Sequence, residues 1–257
     1  MKDFRCGVCG KEFEKDSSLI QHKKDAHEGQ TKNKKPLKIG KLLPYIIGLA
    51  ILAFIVYVIY SSVSALSSST IGSFDIASSF VPYRGNASAN VNIIAFGDYQ
   101  CPVCKESFLT SEPQILETYV NTGKVKMYFM DFAFLGPDSH TLSLGAWCAN
   151  EQNIYYEYHD YIYSNQKREN SGWATPEKLK IIAQNIPGLD IQQFSSCLDS
   201  KKYSSNVQEL TQLGRNSGVS GTPTFFIGND ETGYVSIIGS QPFSIFQKNI
   251  ESKLAIS

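Results

Sequence analysis

Residues 96–104 read Phe96-Gly97-Asp98-Tyr99-Gln100-Cys101-Pro102-Val103-Cys104, and this stretch decides the reading of the chain. In front of it, residues 91–96 are β-branched and apolar, which predicts a strand. Behind it, residues 101–119 read as a helix with a break near Pro113. A Cys-x-x-Cys at a strand-to-helix junction reads as a redox pair. At a helix N-terminus the dipole and free N–H groups stabilise the first sulfur as a thiolate. The second lies one turn further in, close enough to attack a mixed disulfide. Two other readings stay open. A zinc site needs further ligands, and His140 and His159 follow no zinc spacing. A structural disulfide across two residues closes a very small loop.

Outward from this segment the chain alternates strand and helix. Residues 125–132 form a second predicted strand. Residues 138–217 carry helical periodicity, punctuated by Pro176 and Pro187. Residues 224–227 and 234–238 pair as strands around Gly228-Asn229-Asp230, a hairpin signal. Residues 243–254 form a last amphipathic helix. The pattern is α/β.

The quoted segment resembles the active-site segment of DsbA-like thiol–disulfide oxidoreductases of the thioredoxin superfamily. A second segment, Gly218-Val219-Ser220-Gly221-Thr222-Pro223-Thr224-Phe225-Phe226-Ile227, is similar to that family's cis-proline loop. The resemblance covers about 180 residues, from near 75 to the end. It implies a thioredoxin fold with a helical insertion at about 138–213. It also implies that Cys101 is the nucleophile, Cys104 the resolving thiol and Pro223 a cis-proline facing them. Thr222 then offers backbone groups to a bound peptide, with Pro102 and Val103 as further substrate-binding positions. Read without the resemblance, Pro223 is an ordinary trans turn proline. Some strongly oxidising members carry His where this chain has Val103, which cannot hydrogen-bond the sulfur. The direction of redox traffic is therefore open between oxidase and reductase or isomerase. Asp98 reads either as a proton relay or as a capping or solvated loop residue.

Cys148 and Cys197 both fall in the helical insert. They read as a second disulfide whose loop of about 50 residues contributes about 4 kcal/mol in the chain-entropy treatment, or as two buried thiols. Family members with a comparable non-catalytic pair favour the first. His140 reads as a cap or surface residue. The run Tyr155-Tyr156-Glu157-Tyr158-His159-Asp160-Tyr161 reads as one packed and one wet helix face, with a peptide groove as the sharper option. Trp147 and Trp173 read as core.

Residues 42–60 are almost wholly Leu, Ile, Val, Ala, Phe and Tyr. At 1.5 Å per residue such a helix spans about 28 Å, close to a bilayer's hydrocarbon core. Lys32, Lys34, Lys35, Lys38 and Lys41 precede it, and no Lys or Arg follows until Arg84. The positive-inside rule then puts the N-terminus in the cytosol and the redox segment outside the cell membrane.

Near the start stands Phe4-x-Cys6-x2-Cys9-x3-Phe13-x5-Leu19-x2-His22-x4-His27. Two thiolates on a tight turn and two imidazoles one helical turn apart close a tetrahedron around zinc. The pattern resembles the C2H2 zinc finger, a small ββα module. By that resemblance Lys15, Ser18 and Gln21 are its base-facing positions. One finger reads too few base pairs for useful specificity, so a protein ligand is favoured over DNA.

The domain plan is a cytosolic finger at 1–30, a basic linker at 31–41, a transmembrane helix at 42–61, a flexible tether at 62–80 and the thioredoxin domain at 81–257. The net charge of zero is a cancellation. Residues 1–41 hold 11 Lys/Arg against 6 Asp/Glu, residues 42–74 hold none, and residues 75–257 hold 13 against 18. Nucleic-acid binding is thereby disfavoured for the outer domain only. The expected function is a membrane-anchored oxidoreductase, most simply an oxidase, acting on unfolded or cysteine-containing exported proteins. Zinc is the expected cofactor, in the finger, and a membrane quinone-linked protein the expected reoxidising partner. The competing class is a redox-sensing adaptor.

Overall fold

The computed structural model describes residues 4–27, 48–49, 51–55, 57, 70–71 and 81–257. The chain divides into two compact units, Met1–Leu66 and Ser67–Ser257.

In the first unit, β1 (Phe4–Arg5) and β2 (Glu12–Phe13) pair antiparallel, with Phe4 opposite Phe13. The helix α1 (Asp16–His27) follows and buries Leu19. Such short strands and a single buried leucine form too small a core to stand alone. The predicted membrane span lies largely outside the described residues. Those inside it, 48–49, 51–55 and 57, are helical. Among the described residues no helix is long and apolar enough to cross a membrane.

The second unit is built on a six-stranded sheet. Its strands are β3 (Thr70–Ile71), β4 (Tyr83–Gly85), β5 (Val91–Gly97), β6 (Val125–Asp131), β7 (Thr224–Asn229) and β8 (Gly233–Ile238), in the order β3-β8-β7-β5-β6-β4. Among the described residues, only β5 and β6 run parallel; the other pairs are antiparallel. The central strands are buried on both faces, and the pleat explains why they read as continuous apolar runs. Ile93 and Ala95 enter one core with Val125, Met127, Phe129, Phe225 and Ile227. Ile94 and Phe96 enter the other with Tyr128, Met130 and Phe226.

Helix α2 (Pro102–Ile115) leaves the end of β5. The break expected near Pro113 is displaced. Pro113 sits inside the helix, and the ladder widens one turn later into a π-helical segment, Leu116–Val120. There Asn121 N–H donates to the Leu116 carbonyl five residues back, at 2.8 Å. A proline removes one donor and crowds the carbonyl four residues back, yet here the helix continues through it.

The insertion is α3 (Pro137–Asn150), α4 (Tyr155–Ser164), α5 (Pro176–Ala183), α6 (Ile191–Ser200) and α7 (Ser204–Asn216). The last helix, α8 (Phe243–Leu254), has the predicted bounds. Two strands escaped the sequence reading. β4 is three residues with a central Arg, too short for periodicity. β3 lies within the stretch expected as a tether at 62–80, where Thr70 and Ile71 pair with Val235 and Tyr234 at the sheet edge; the rest of that stretch lies outside the described residues.

Candidate active site

The last residue of β5, Gly97, lies beside Asp131 in the parallel register with β6. A side chain on Gly97 would strike the Phe129 ring and the Tyr163 hydroxyl, so glycine lets the strand approach these neighbours. The loop 98–101 then turns into α2, with Pro102 at its first position, where a missing N–H costs nothing.

Cys101 is the N-cap residue of α2. Cys101 and Cys104 are both free thiols and both buried, 6% and 3% exposed. Their environments push their acidities apart. Hydrogen bonding from the Cys104 thiol, helped by Thr222 and the N–H groups of Cys104 and Val103, lowers the Cys101 pKa to about 6 against the opposing effect of burial. Burial drives Cys104 well above its ordinary value, and the adjoining Cys101 adds to the rise. The two sulfurs thus differ in acidity, Cys101 the more acidic and Cys104 the less.

The Thr222–Pro223 peptide bond is cis. The Cys101 thiol donates to the Thr222 carbonyl at 3.3 Å. The Thr222 hydroxyl is buried with no partner in the thiol state, yet it helps lower the Cys101 pKa. Pro102 and Val103 are exposed beside the pair.

Asp98 is fully buried, which rules out the solvated reading. One carboxylate oxygen accepts from Gln100 N–H at 2.8 Å and Ser139 Oγ at 2.7 Å. The other accepts from the N–H groups of Phe134 at 3.0 Å and Leu135 at 3.1 Å. Burial raises its pKa and these four donors oppose the rise. Asp98 organises the loop rather than capping α2.

Residues that sequence reasoning missed hold this loop from the insertion. Gln100 donates to Ser139 Oγ at 2.8 Å and accepts from Asn170 N–H at 2.8 Å. Gln166 donates to the carbonyls of Tyr99 at 2.9 Å and Cys101 at 3.0 Å. Gln100 stands in the quoted motif, but nothing local marked Ser139, Gln166 or Asn170. Asp131 is a second fully buried acid, pushed up to about 7 by burial.

Cys148 and Cys197 form a disulfide between α3 and α6. His140 is half-buried and meets Ser204 Oγ at 3.1 Å, a link between α3 and α7. Tyr155, Tyr158, His159 and Tyr163 fill the packed face of α4, and Trp147 and Trp173 are core. In the separate N-terminal unit, one ligand atom from each of Cys6, Cys9, His22 and His27 lies within 4.8 Å of the others. Cys9 Sγ and His22 Nε2 are 3.1 Å apart, and His27 Nε2 is buried without a partner. Two thiols and two imidazoles so gathered fit zinc.

A family model described as thioredoxin matches residues 80–251. A probable disulfide bond formation protein D of Bacillus anthracis is 30% identical over 176 residues, covering 66% of this chain and 76% of that one. Among solved structures, oxidised BdbD from Bacillus subtilis matches with a TM-score of 0.64 at 23% identity, covering 72% of this chain and 98% of that one. Alpha-DsbA1 of Wolbachia pipientis gives 0.62 at 21% identity, covering 69% and 92%. With the asymmetric cysteine pair lying within the matched residues, the chain belongs to the thioredoxin family and is a DsbA-like thiol–disulfide oxidoreductase.

Proposed function

We propose that the protein is a membrane-anchored disulfide-forming oxidase for exported proteins, with Cys101 as the nucleophile and Cys104 as the resolving thiol. The observation that carries the direction is the depressed Cys101 pKa, about 6. A thiolate stabilised in the reduced enzyme makes its disulfide a better oxidant. In one turnover, a substrate thiolate attacks the Cys101 sulfur of the enzyme disulfide and expels Cys104. A second substrate thiolate then attacks the substrate sulfur of the mixed disulfide and expels Cys101. Two electrons pass to the enzyme, which leaves as the dithiol. When instead the reduced enzyme opens a substrate disulfide, Cys101 attacks and Cys104 resolves the intermediate. Thr222, Pro102 and Val103 form the face that receives the substrate chain. Asp98 has all four of its hydrogen bonds committed, so a relay role would require it to release one.

The anchor reading rests on the uncharged stretch 42–74 and on exposed helical side chains within it, Leu49, Ile51, Leu52, Phe54, Ile55 and Tyr57. With the lysines on its N-terminal side, the positive-inside rule favours a redox domain outside the cell membrane. A quinone-linked membrane protein is the proposed reoxidising partner. Cys6, Cys9, His22 and His27 would hold zinc, which would supply the cross-link that the small N-terminal core lacks. The finger's described residues carry five basic and four acidic side chains. Gln21 is tied to Asp25 at 3.0 Å. Both features favour a protein ligand over DNA.

The test is oxidation of a reduced, unfolded substrate by the full-length protein in detergent. Cys101→Ser is expected to abolish it. Oxidation by that variant at the wild-type rate would overturn the assignment.

A further inference from the structure

We propose that Gln166 is a positioning residue for the redox centre. Its side-chain amide, delivered by the helical insertion, grips the backbone on both sides of Gln100 and so tunes the reactivity of the Cys101 sulfur.

Helix α4 ends at Ser164, and its last turns are pinned against the catalytic elements. Tyr163 stacks on Phe108 of α2, with ring centres 5.5 Å apart, and tilts against Tyr99 at 5.2 Å. Gln166 therefore leaves the helix beside the loop, already fixed in register. Its Nε2 donates both of its hydrogens, to the Tyr99 and Cys101 carbonyls.

Those carbonyls need the donors. Tyr99 and Gln100 are 0% and 1% exposed, so water has little access to this backbone. A buried carbonyl without a donor costs about 1–3 kcal/mol. The Cys101 carbonyl also accepts from Lys105 N–H, but at a longer 3.2 Å. Electrostatics make the contact functional as well as structural. Both carbonyl oxygens are negative ends of dipoles in the same short loop as the sulfur. An amide donor bound to them offsets that negative potential, which otherwise disfavours a thiolate.

A comparable contact elsewhere serves as control. Gln152 makes a similar pair of backbone contacts in the same insertion, donating to the Asp190 carbonyl at 3.1 Å and accepting from its N–H at 2.7 Å. Its loss removes hydrogen bonds remote from the Cys101 loop.

The inference rests on Cys101 being the activated thiol. The experiment uses the full-length protein and reads two quantities: the pH dependence of Cys101 alkylation, followed by peptide mass, and the equilibrium of the Cys101–Cys104 pair with glutathione. Gln166→Met keeps the length and removes the donors. It is expected to raise the Cys101 midpoint by about half to one unit and to shift the equilibrium about three- to tenfold toward the disulfide. Gln166→Lys restores donors with a charge and is expected to move both readouts the opposite way, even if Gln166→Met folds poorly. Gln152→Met is expected to move neither. If both Gln166 variants keep the wild-type midpoint and equilibrium, or shift them in the same direction, Gln166 is not a positioning residue. If wild-type Cys101 itself shows an ordinary thiol midpoint, the underlying reading of the nucleophile is what fails.

Discussion

Cys101 donates its thiol hydrogen to the carbonyl of Thr222, 121 residues away in sequence, across the gap between the start of α2 and the loop that leads into β7. The redox motif and the cis-proline loop, far apart in sequence, thus become one site. The Thr222 hydroxyl is the unspent part of this contact. Thr222→Val keeps the shape and removes the donor, so the pH midpoint of Cys101 alkylation should move up from about 6. The alkylation rate at pH 5–9 reads this directly, and an unmoved midpoint means that the hydroxyl does not engage the thiolate.

Asp131 should make the fold sensitive to pH. It is fully buried at the end of β6, and the Trp147 indole N–H donates to it at 2.7 Å. Burial raises its pKa to about 7 from an ordinary value near 4, so the folded chain resists its ionisation more than the unfolded chain does. Its contribution is therefore most favourable at low pH. It is lost as pH rises from about 4 to about 7 and is constant above that, a change of up to about 4 kcal/mol. Asp131→Asn removes the ionisation. Its melting temperature relative to wild type should climb through that window and then level off; a pH-independent difference would contradict the reading.

The Cys148–Cys197 bond joins two helices of the insertion across 49 residues. Removing it by the double substitution Cys148→Ala and Cys197→Ala should cost about 4 kcal/mol of unfolding free energy. Denaturant titration of the oxidised protein measures this. No loss of stability would mean that the bond closes a loop already held in the unfolded chain.

Zinc and redox chemistry should be separable. One equivalent of zinc is expected per chain. Chelation should raise hydrogen exchange across residues 4–27 while substrate oxidation proceeds unchanged. Metal-free protein with full protection of α1 would contradict the zinc reading.

Sequence periodicity revealed β5, β6 and α8 because each is long, regular and bounded by turn residues. The redox pair was legible because its spacing is itself the chemistry. Asp98 was visible but its role was not, since its four donors come from residues 100, 134, 135 and 139, which only the fold brings together. Gln166 was invisible for the same reason. A glutamine just past a helix end has no local signature, and its partners lie 67 and 65 residues away. β3 was missed because two residues at a sheet edge take their conformation from β8, not from their own sequence.

An oxidase needs a Cys101–Cys104 pair that is a stronger oxidant than its substrates, so the reduction potential of the pair, measured against glutathione, decides the direction. A thiolate stabilised to a pKa of about 6 lies between those of thioredoxin and of the strongest oxidants. The potential is therefore expected between about −270 mV and about −120 mV. A value at or below about −270 mV would contradict the oxidase account and assign the protein to reduction.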